Sequence, residues 1–312
     1  MTRRFALTAS LIAISVAFAG CTKTPADAAD GASPGAAASG GAETAKVAPV
    51  HCPAKVRTAA RPAGAPVDDV VGVRPGLTYD EAANLVQCED RTLAVEPTTT
   101  GFQIETYGQR LRQGFNAKPK APEMSSQEIL KKMQDDAMAR GSNRLVDPMK
   151  PGEQTFYVST IGPPGQDRVI GVWREQWFAE GRNPPLATVT DALAKKYGTP
   201  SLQDGEFVYW LFDPMGRQMG RDAPALNGCR GKIGSTSNNF SLSPDCGLSV
   251  AARIVPLKTN PDLARSLELG IADQAKGYAA IEQTEKALAA ADVQRRAGEV
   301  KRANQTADAP KL

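Results

Sequence analysis

A single histidine, His51, occurs in 312 residues, and it stands beside Cys52. A Ser-His-Asp or Cys-His catalytic set would have to use it, and imidazole catalysis needs an orienting partner. At the edge of a polar segment His51 therefore reads as a solvated side chain. One histidine also rules out a histidine-rich metal centre, and no two cysteines stand in the C-x-x-C pairing of structural zinc. No metal and no cofactor is expected. Adjacent carboxylates occur as Asp68-Asp69, Asp80-Glu81, Glu89-Asp90 and Asp135-Asp136. Carboxylates in unlike environments carry out acid–base hydrolysis. Sequence neighbours diverge on a helix, however, so capping and solvation account for these pairs better. The glycines of Gly228–Gly234 match neither a phosphate loop nor a dinucleotide fingerprint. Trp173, Trp177 and Trp210 invite a carbohydrate- or peptide-binding role. Trp173 and Trp177 share one face of an expected strand and are the candidate binding face, set against the reading of strand aromatics as core.

Five cysteines complete the reactive set: Cys21, Cys52, Cys88, Cys229 and Cys246. Before Cys21 the chain reads Arg3-Arg4, an apolar run over Phe5–Phe18, then Ala19-Gly20. That is a secretory signal, too short to span a bilayer comfortably. The small-small-Cys ending resembles a bacterial lipobox, which implies signal removal and acylation at Cys21. Ala17-Phe18-Ala19 also satisfies the ordinary A-x-A rule, so signal peptidases I and II both remain open. Parity favours the lipid. Acylating Cys21 leaves an even set of four cysteines in an oxidising compartment, whereas release at Gly20 strands a free thiol. Four cysteines permit three connectivities, of which Cys52–Cys88 and Cys229–Cys246 are the near-neighbour pairs. Several acyl chains hold a protein at a membrane face stably where one would not. Thr22, in place of Asp, points to the outer membrane.

With 37 Lys+Arg, 34 Asp+Glu and a net charge of +3, the chain has no basic cluster with which to hold nucleic acid. Residues 22–49 are Ala, Gly, Ser, Pro and Thr without periodicity, which predicts a flexible tether. Pro62, Gly64 and Pro66 continue it. The expected divisions are a signal peptide over 1–20, an anchored linker over 21–69, an α+β domain over 70–272 with a sub-boundary near 145–150, a helix over 273–303, and a disordered tail over 304–312.

The positioning elements follow from pattern. Thr78 and Glu81 make a capping box after Pro75-Gly76, opening a helix that runs to Cys88. Gly76-Leu77-Thr78-x-x-Glu81 resembles the helix entry of small outer-membrane lipoproteins of the SmpA/OmlA (BamE-like) family. Strands are expected over Thr92–Val95, Phe102–Tyr107 and Leu111–Phe115. Ser125 and Glu128 cap a second helix, with Ile129, Leu130, Met133 and Ala137 at helical spacing. Thr155–Ile161 and Val169–Phe178 form a hairpin around Gly162–Gly165. Val189, Ala192, Leu193 and Tyr197 line a helix closed by Gly198 and Pro200. The apolar run Phe207–Phe212 reads as a central strand covered on both sides. The Lys196-Tyr197-Gly198-Thr199-Pro200 turn before it again resembles the helix-to-strand step of that family, which suggests two related α/β units. Leu248–Val255 alternates and pairs with Ser266–Ala272 across Asn260–Asp262. From Gln274 the helix formers run on to about Arg302, with Tyr278, Ile281 and Leu288 as apolar anchors.

These readings converge on an α+β fold of antiparallel sheet with helices on one face and a long C-terminal helix. The expected role is a lipid-anchored, periplasm-facing outer-membrane protein that binds or scaffolds an envelope protein partner, without catalysis and without nucleic acid. The family resemblance implies assistance to outer-membrane assembly. A carboxylate-based envelope hydrolase, an inhibitor or immunity-type binding protein, and a soluble periplasmic location are the alternatives.

Overall fold

A computed structural model describes residues 50–56, 61, 63–120, 123–140, 149–230 and 242–306. Cys21, the signal and residues 22–49 lie outside the described residues, as do 231–241 and 307–312.

The first helix, α1 (Tyr79–Glu89), begins where the sequence places it. Thr78 and Glu81 exchange their hydrogen bonds, with Glu81 N donating to Thr78 Oγ1 at 3.2 Å and Thr78 N to Glu81 Oε2 at 2.9 Å. Ahead of it, Val70–Val73 is a tight turn closed by reciprocal backbone bonds of 2.8 and 2.9 Å. Its two central residues, Val71 and Gly72, have φ of 49° and 81°, the I′ pattern. The chain is docked well before this point. Arg61 reaches Asp68 at 2.6 Å and Asp69 at 3.3 Å, and the backbone N–H of His51 donates to Asn84 Oδ1.

Eight strands follow: β1 (Leu93–Thr98), β2 (Gly114–Pro119), β3 (Gln154–Ile161), β4 (Arg168–Trp177), β5 (Leu202–Asp204), β6 (Phe207–Leu211), β7 (Leu248–Leu257) and β8 (Asn260–Asp273). They form one antiparallel sheet in the order β1-β2-β3-β4-β8-β7-β6-β5. The strands on either side of the expected 145–150 boundary thus share a single sheet, joined where β2 pairs with β3. The remaining helices are α2 (Ser126–Arg140), α3 (Leu186–Tyr197), α4 (Leu226–Cys229) and α5 (Gln274–Thr306).

Side-chain alternation gives the sheet two unlike faces. Phe115, Phe156, Val158, Val172, Trp210, Val250, Ile254 and Ile271 meet α1 and α3 in the main core. Trp210 closes this layer from the α3 end, its indole N–H donating to Gly198 O at 2.8 Å. On the opposite face two smaller clusters form. Leu211, Met219, Leu226 and the Cys229–Cys246 disulfide cover the β6 end. Ile161, Ile170 and Leu111 meet Leu288 and Ile281 of α5 at the β3–β4 end. The buried Gln274 side chain ties the two, donating to Cys229 O at 2.8 Å and Ser249 Oγ at 2.6 Å.

Four expectations are corrected. Residues 102–107 are a loop, because Phe102 and Ile104 turn in against the α5 cluster and Tyr107-Gly108 reverses the chain at positive φ. The following strand starts at Gly114, not Leu111. Phe207–Phe212 is not central: β6 is next to the edge strand β5, and Phe207 is 39% exposed. Val208, Trp210 and Leu211 are covered on their respective faces, and Tyr209 is half-buried. Finally, α2 forms with the Ser125–Glu128 box intact, yet Ile129, Leu130 and Met138 are exposed.

Candidate functional site

The cysteine pairing is as the spacing suggests. Cys52–Cys88 and Cys229–Cys246 are both disulfides. The first staples the exposed segment at His51 to the last turn of α1, and the His51 side chain lies in solvent. The adjacent carboxylates are structural. Asp80 and Glu81 sit in the first turn of α1, Asp90 closes its end and accepts from Thr92, and Asp135 lies on the exposed α2. Burial pushes Asp69 up, but Lys196 at 2.8 Å, the Gly72 N–H and Arg61 outweigh it and hold its carboxyl below the usual range. Among the described residues no group of three or more His, Cys, Asp or Glu side chains could hold a metal ion, and no helix is long and apolar enough to cross a membrane.

Trp173 and Trp177 do share a face of β4, opposite the main core, but their environments differ. Trp173 is 1% exposed and packs against Tyr157 at 5.3 Å. It is core. Trp177 is half-buried, and its indole N–H donates to Glu175 Oε1 at 2.7 Å. Around it lies what sequence reasoning missed. Arg265 stacks over the Trp177 ring at 4.8 Å, and Arg253 over Phe207 at 5.4 Å. Arg253 also binds Glu206 at 2.9 Å and reaches Glu268 at 3.5 Å. Register places these side chains in adjacent rows, with Glu175 opposite Glu268, Glu268 opposite Arg253 and Arg253 opposite Phe207. Every member keeps partial exposure. The result is a flat, open stretch of sheet that carries aromatic rings, guanidinium planes and carboxylates. The alternation that puts Ala251 and Arg253 on one face of β7 was visible in sequence. The juxtaposition was not, since it depends on β8 entering between β4 and β7.

Two glutamates directly opposite on antiparallel strands repel each other. Burial raises the Glu268 carboxyl above its ordinary value; Arg253 opposes the rise and Glu175 adds to it. An acid whose folded-state value is raised favours the native state in its protonated form. That advantage is complete below the unfolded carboxylate range and is lost as pH climbs through the raised value. Glu268→Gln is therefore expected to make the protein more stable at neutral pH. It should also flatten the decline in stability just above the ordinary carboxylate range. Urea unfolding at stepped pH measures both, and a less stable neutral-pH variant would contradict the assignment.

The main-core face carries a second opening, a groove of about 300 Å³ between α3 and strands β4 and β8. Arg174 reaches into it from β4, its Nε donating to Gln154 Oε1 at 2.8 Å and its Nη2 lying 3.8 Å from Glu89. Burial pulls this guanidinium below its ordinary value, and Glu89 only partly restores it.

Comparison of the chain with known protein families, with curated proteins and with solved structures finds no match.

Proposed function

We propose that this protein is an envelope lipoprotein, acylated at Cys21, whose domain binds a partner protein through the open part of its sheet and performs no catalysis. The observation that supports the reading is the Trp177–Arg265, Glu268–Arg253–Phe207 surface. Large aromatics and arginines, partly exposed and laid out on a rigid scaffold, are the residue types that dominate binding energy at protein interfaces. Strands fix their positions, so little ordering cost is left for association. The two disulfides fit an oxidising compartment, and their pairing leaves Cys21 as the odd cysteine for a lipid. The similarity of Gly76–Glu81 to the SmpA/OmlA helix entry would make the partner a component of outer-membrane assembly.

The tether is tested by fractionation. Wild type is expected in the membrane pellet and Cys21→Ala in the soluble periplasmic fraction, with acyl groups on the mature N-terminal cysteine by mass spectrometry. A mature terminus at Gly20 without acyl groups would overturn it.

A second reading has one specific observation in its favour. Glu175 and Glu268 face each other in unlike environments, the arrangement that a carboxylate hydrolase uses for its acid and base. Hydrolysis of envelope glycans, measured on wild type and abolished by both Glu175→Gln and Glu268→Gln, would establish it in place of the first.

A further inference from the structure

We propose that the groove between α3 and the sheet binds one single-chain carboxylate amphiphile, a free fatty acid. The tail would lie along the apolar wall and the carboxylate would meet Arg174. This site is on the face opposite the Trp177 surface and does not depend on that surface binding anything.

Three observations carry the inference. The first is the wall. Phe178, Leu267 and Leu269 of the sheet side and Val189 and Leu193 of α3 line a groove of about 300 Å³. That lies at the lower end of the range for small-molecule sites, roughly 300–1,000 Å³, and suits a narrow ligand. Phe178 and Leu267 are only partly buried, so the wall is an unfilled extension of the core.

The second is Val71. A β-branched residue at φ 49° is a backbone outlier, in a turn whose I′ geometry Asn or Gly would adopt without strain. The conformation is over-determined from outside. Gly72 N donates to Asp69 Oδ2 at 3.0 Å, the Tyr197 hydroxyl donates to Asp69 O at 2.8 Å, and Lys196 grips Asp69 Oδ2. What the strain secures is the position of an apolar side chain at the groove, where Val71 is part of the lining. Strained residues held by their surroundings cluster at ligand sites.

The third is charge. Arg174 brings a guanidinium with five donors to a groove whose other polar lining is Gln176, Thr188, Lys196 and Tyr197, its side chain 14% exposed. Among the described residues only Nε has an acceptor within hydrogen-bond distance, while Glu89 stays at 3.8 Å. A partly exposed guanidinium whose Nη groups have, among the described residues, only Glu89 at 3.8 Å and the Phe156 ring, 5.6 Å from the guanidinium carbon, beside them gains from a carboxylate taken bidentately. Lys196 is already held by Asp69 and leaves that role to Arg174. A largely apolar groove wall beside one guanidinium free to take a further acceptor complements an acyl chain with one carboxylate.

The test uses the full chain in its Cys21→Ala form, so that no acyl group of its own competes. Laurate labelled at the carboxyl carbon is titrated by NMR and calorimetry, with dodecanol as the neutral comparison. Saturable one-to-one binding of laurate is expected, with dodecanol weaker by about tenfold, the value of one charge-assisted contact. Arg174→Gln should weaken laurate by a similar factor and leave dodecanol unchanged. Ala192→Trp, at an exposed position that lines the groove, should weaken both. If Arg174→Gln does not fold, the wild-type comparison of laurate with dodecanol and the Ala192→Trp variant decide. Laurate binding unaffected by Ala192→Trp, or dodecanol binding as tightly as laurate, would overturn the proposal. So would a groove that answers to Ala192→Trp only through dimer formation or through attachment to phosphatidylglycerol vesicles.

Discussion

Gly114→Ala is expected to cost at least about 3 kcal/mol, the scale of a severe core defect. Gly114 opens β2 at φ +136°, where L side chains are strained, and pairs with Ser159 of β3. A Cβ there would fall on the Val158 carbonyl oxygen and lie 2.9 Å from its carbon. The obstacle is backbone of a neighbouring strand, which cannot rotate aside as a side chain does. Relief would require β2 to move off β3, and with it Phe115, which is fully buried and stacks edge-on against Tyr79 of α1 at 5.1 Å. For a domain of this size each kcal/mol shifts Tm by roughly 2–4 °C, so a fall on the order of 10 °C is expected. Gly165→Ala isolates the mechanism. Gly165 sits at φ +79° in the β3–β4 turn with nothing within 4 Å of the added methyl, so only backbone strain of about 1–2 kcal/mol applies. Thermal melts that show equal losses for the two would contradict this account of Gly114.

Replacing both Cys229 and Cys246 by Ala is expected to cost about 3 kcal/mol or slightly more, and the Cys52/Cys88 double replacement less. Loop-closure entropy alone predicts the reverse order. The sequence separations are 17 and 36, and the longer loop releases more freedom on unfolding, nearly 4 kcal/mol against roughly 3. The native side decides between them. Cys229 and Cys246 are buried in the cluster with Leu211, Met219 and Leu226, and the Cys229 carbonyl accepts bonds from Ser249 and Gln274. Cutting that link loosens the cap over β6 and the start of α5 together, and truncation adds a cavity. Cys52 is exposed and holds a segment whose other described ties are the His51 backbone bonds to Asn84. Once cut, that segment can leave the domain surface without unfolding it, which returns entropy to the native state and cancels much of the penalty. Chemical unfolding of the two variants gives the order directly, and a larger loss for Cys52/Cys88 would show that the segment around Cys52 belongs to the cooperative unit.

Local signals in the sequence translated into structure where the physics is local. The Thr78–Glu81 and Ser125–Glu128 boxes, the hairpin around Gly162–Gly165, the Gly198 stop of α3 and the β7–β8 pair each depend on residues within a few positions of one another. Cysteine parity and loop length were enough for both disulfides. What was hidden is non-local. Phe102 and Ile104 alternate as a strand would, but the α5 cluster took their apolar side chains instead. The placement of β6 depended on how many strands follow it and where β8 inserts. The same insertion explains the candidate surface. Trp177 was legible as an aromatic on a polar strand, whereas its neighbours Glu268, Arg253 and Phe207 arrive from three other strands, and Trp173 is buried against Tyr157 of β3. Burial of one tryptophan and exposure of the other, four residues apart on one face, cannot be read from β4 alone.

The central claim is that the open sheet face, and not the helical face, meets a partner at the membrane. A photo-cross-linking phenylalanine analogue in place of Phe207, in the otherwise wild-type chain, tests it in intact cells, with the same analogue in place of the exposed Lys195 of α3 as the control. The account predicts a discrete covalent adduct from position 207 that Trp177→Ala and Arg253→Ala each abolish, and none from position 195. An adduct from 195 alone, or from both positions regardless of those substitutions, would contradict it.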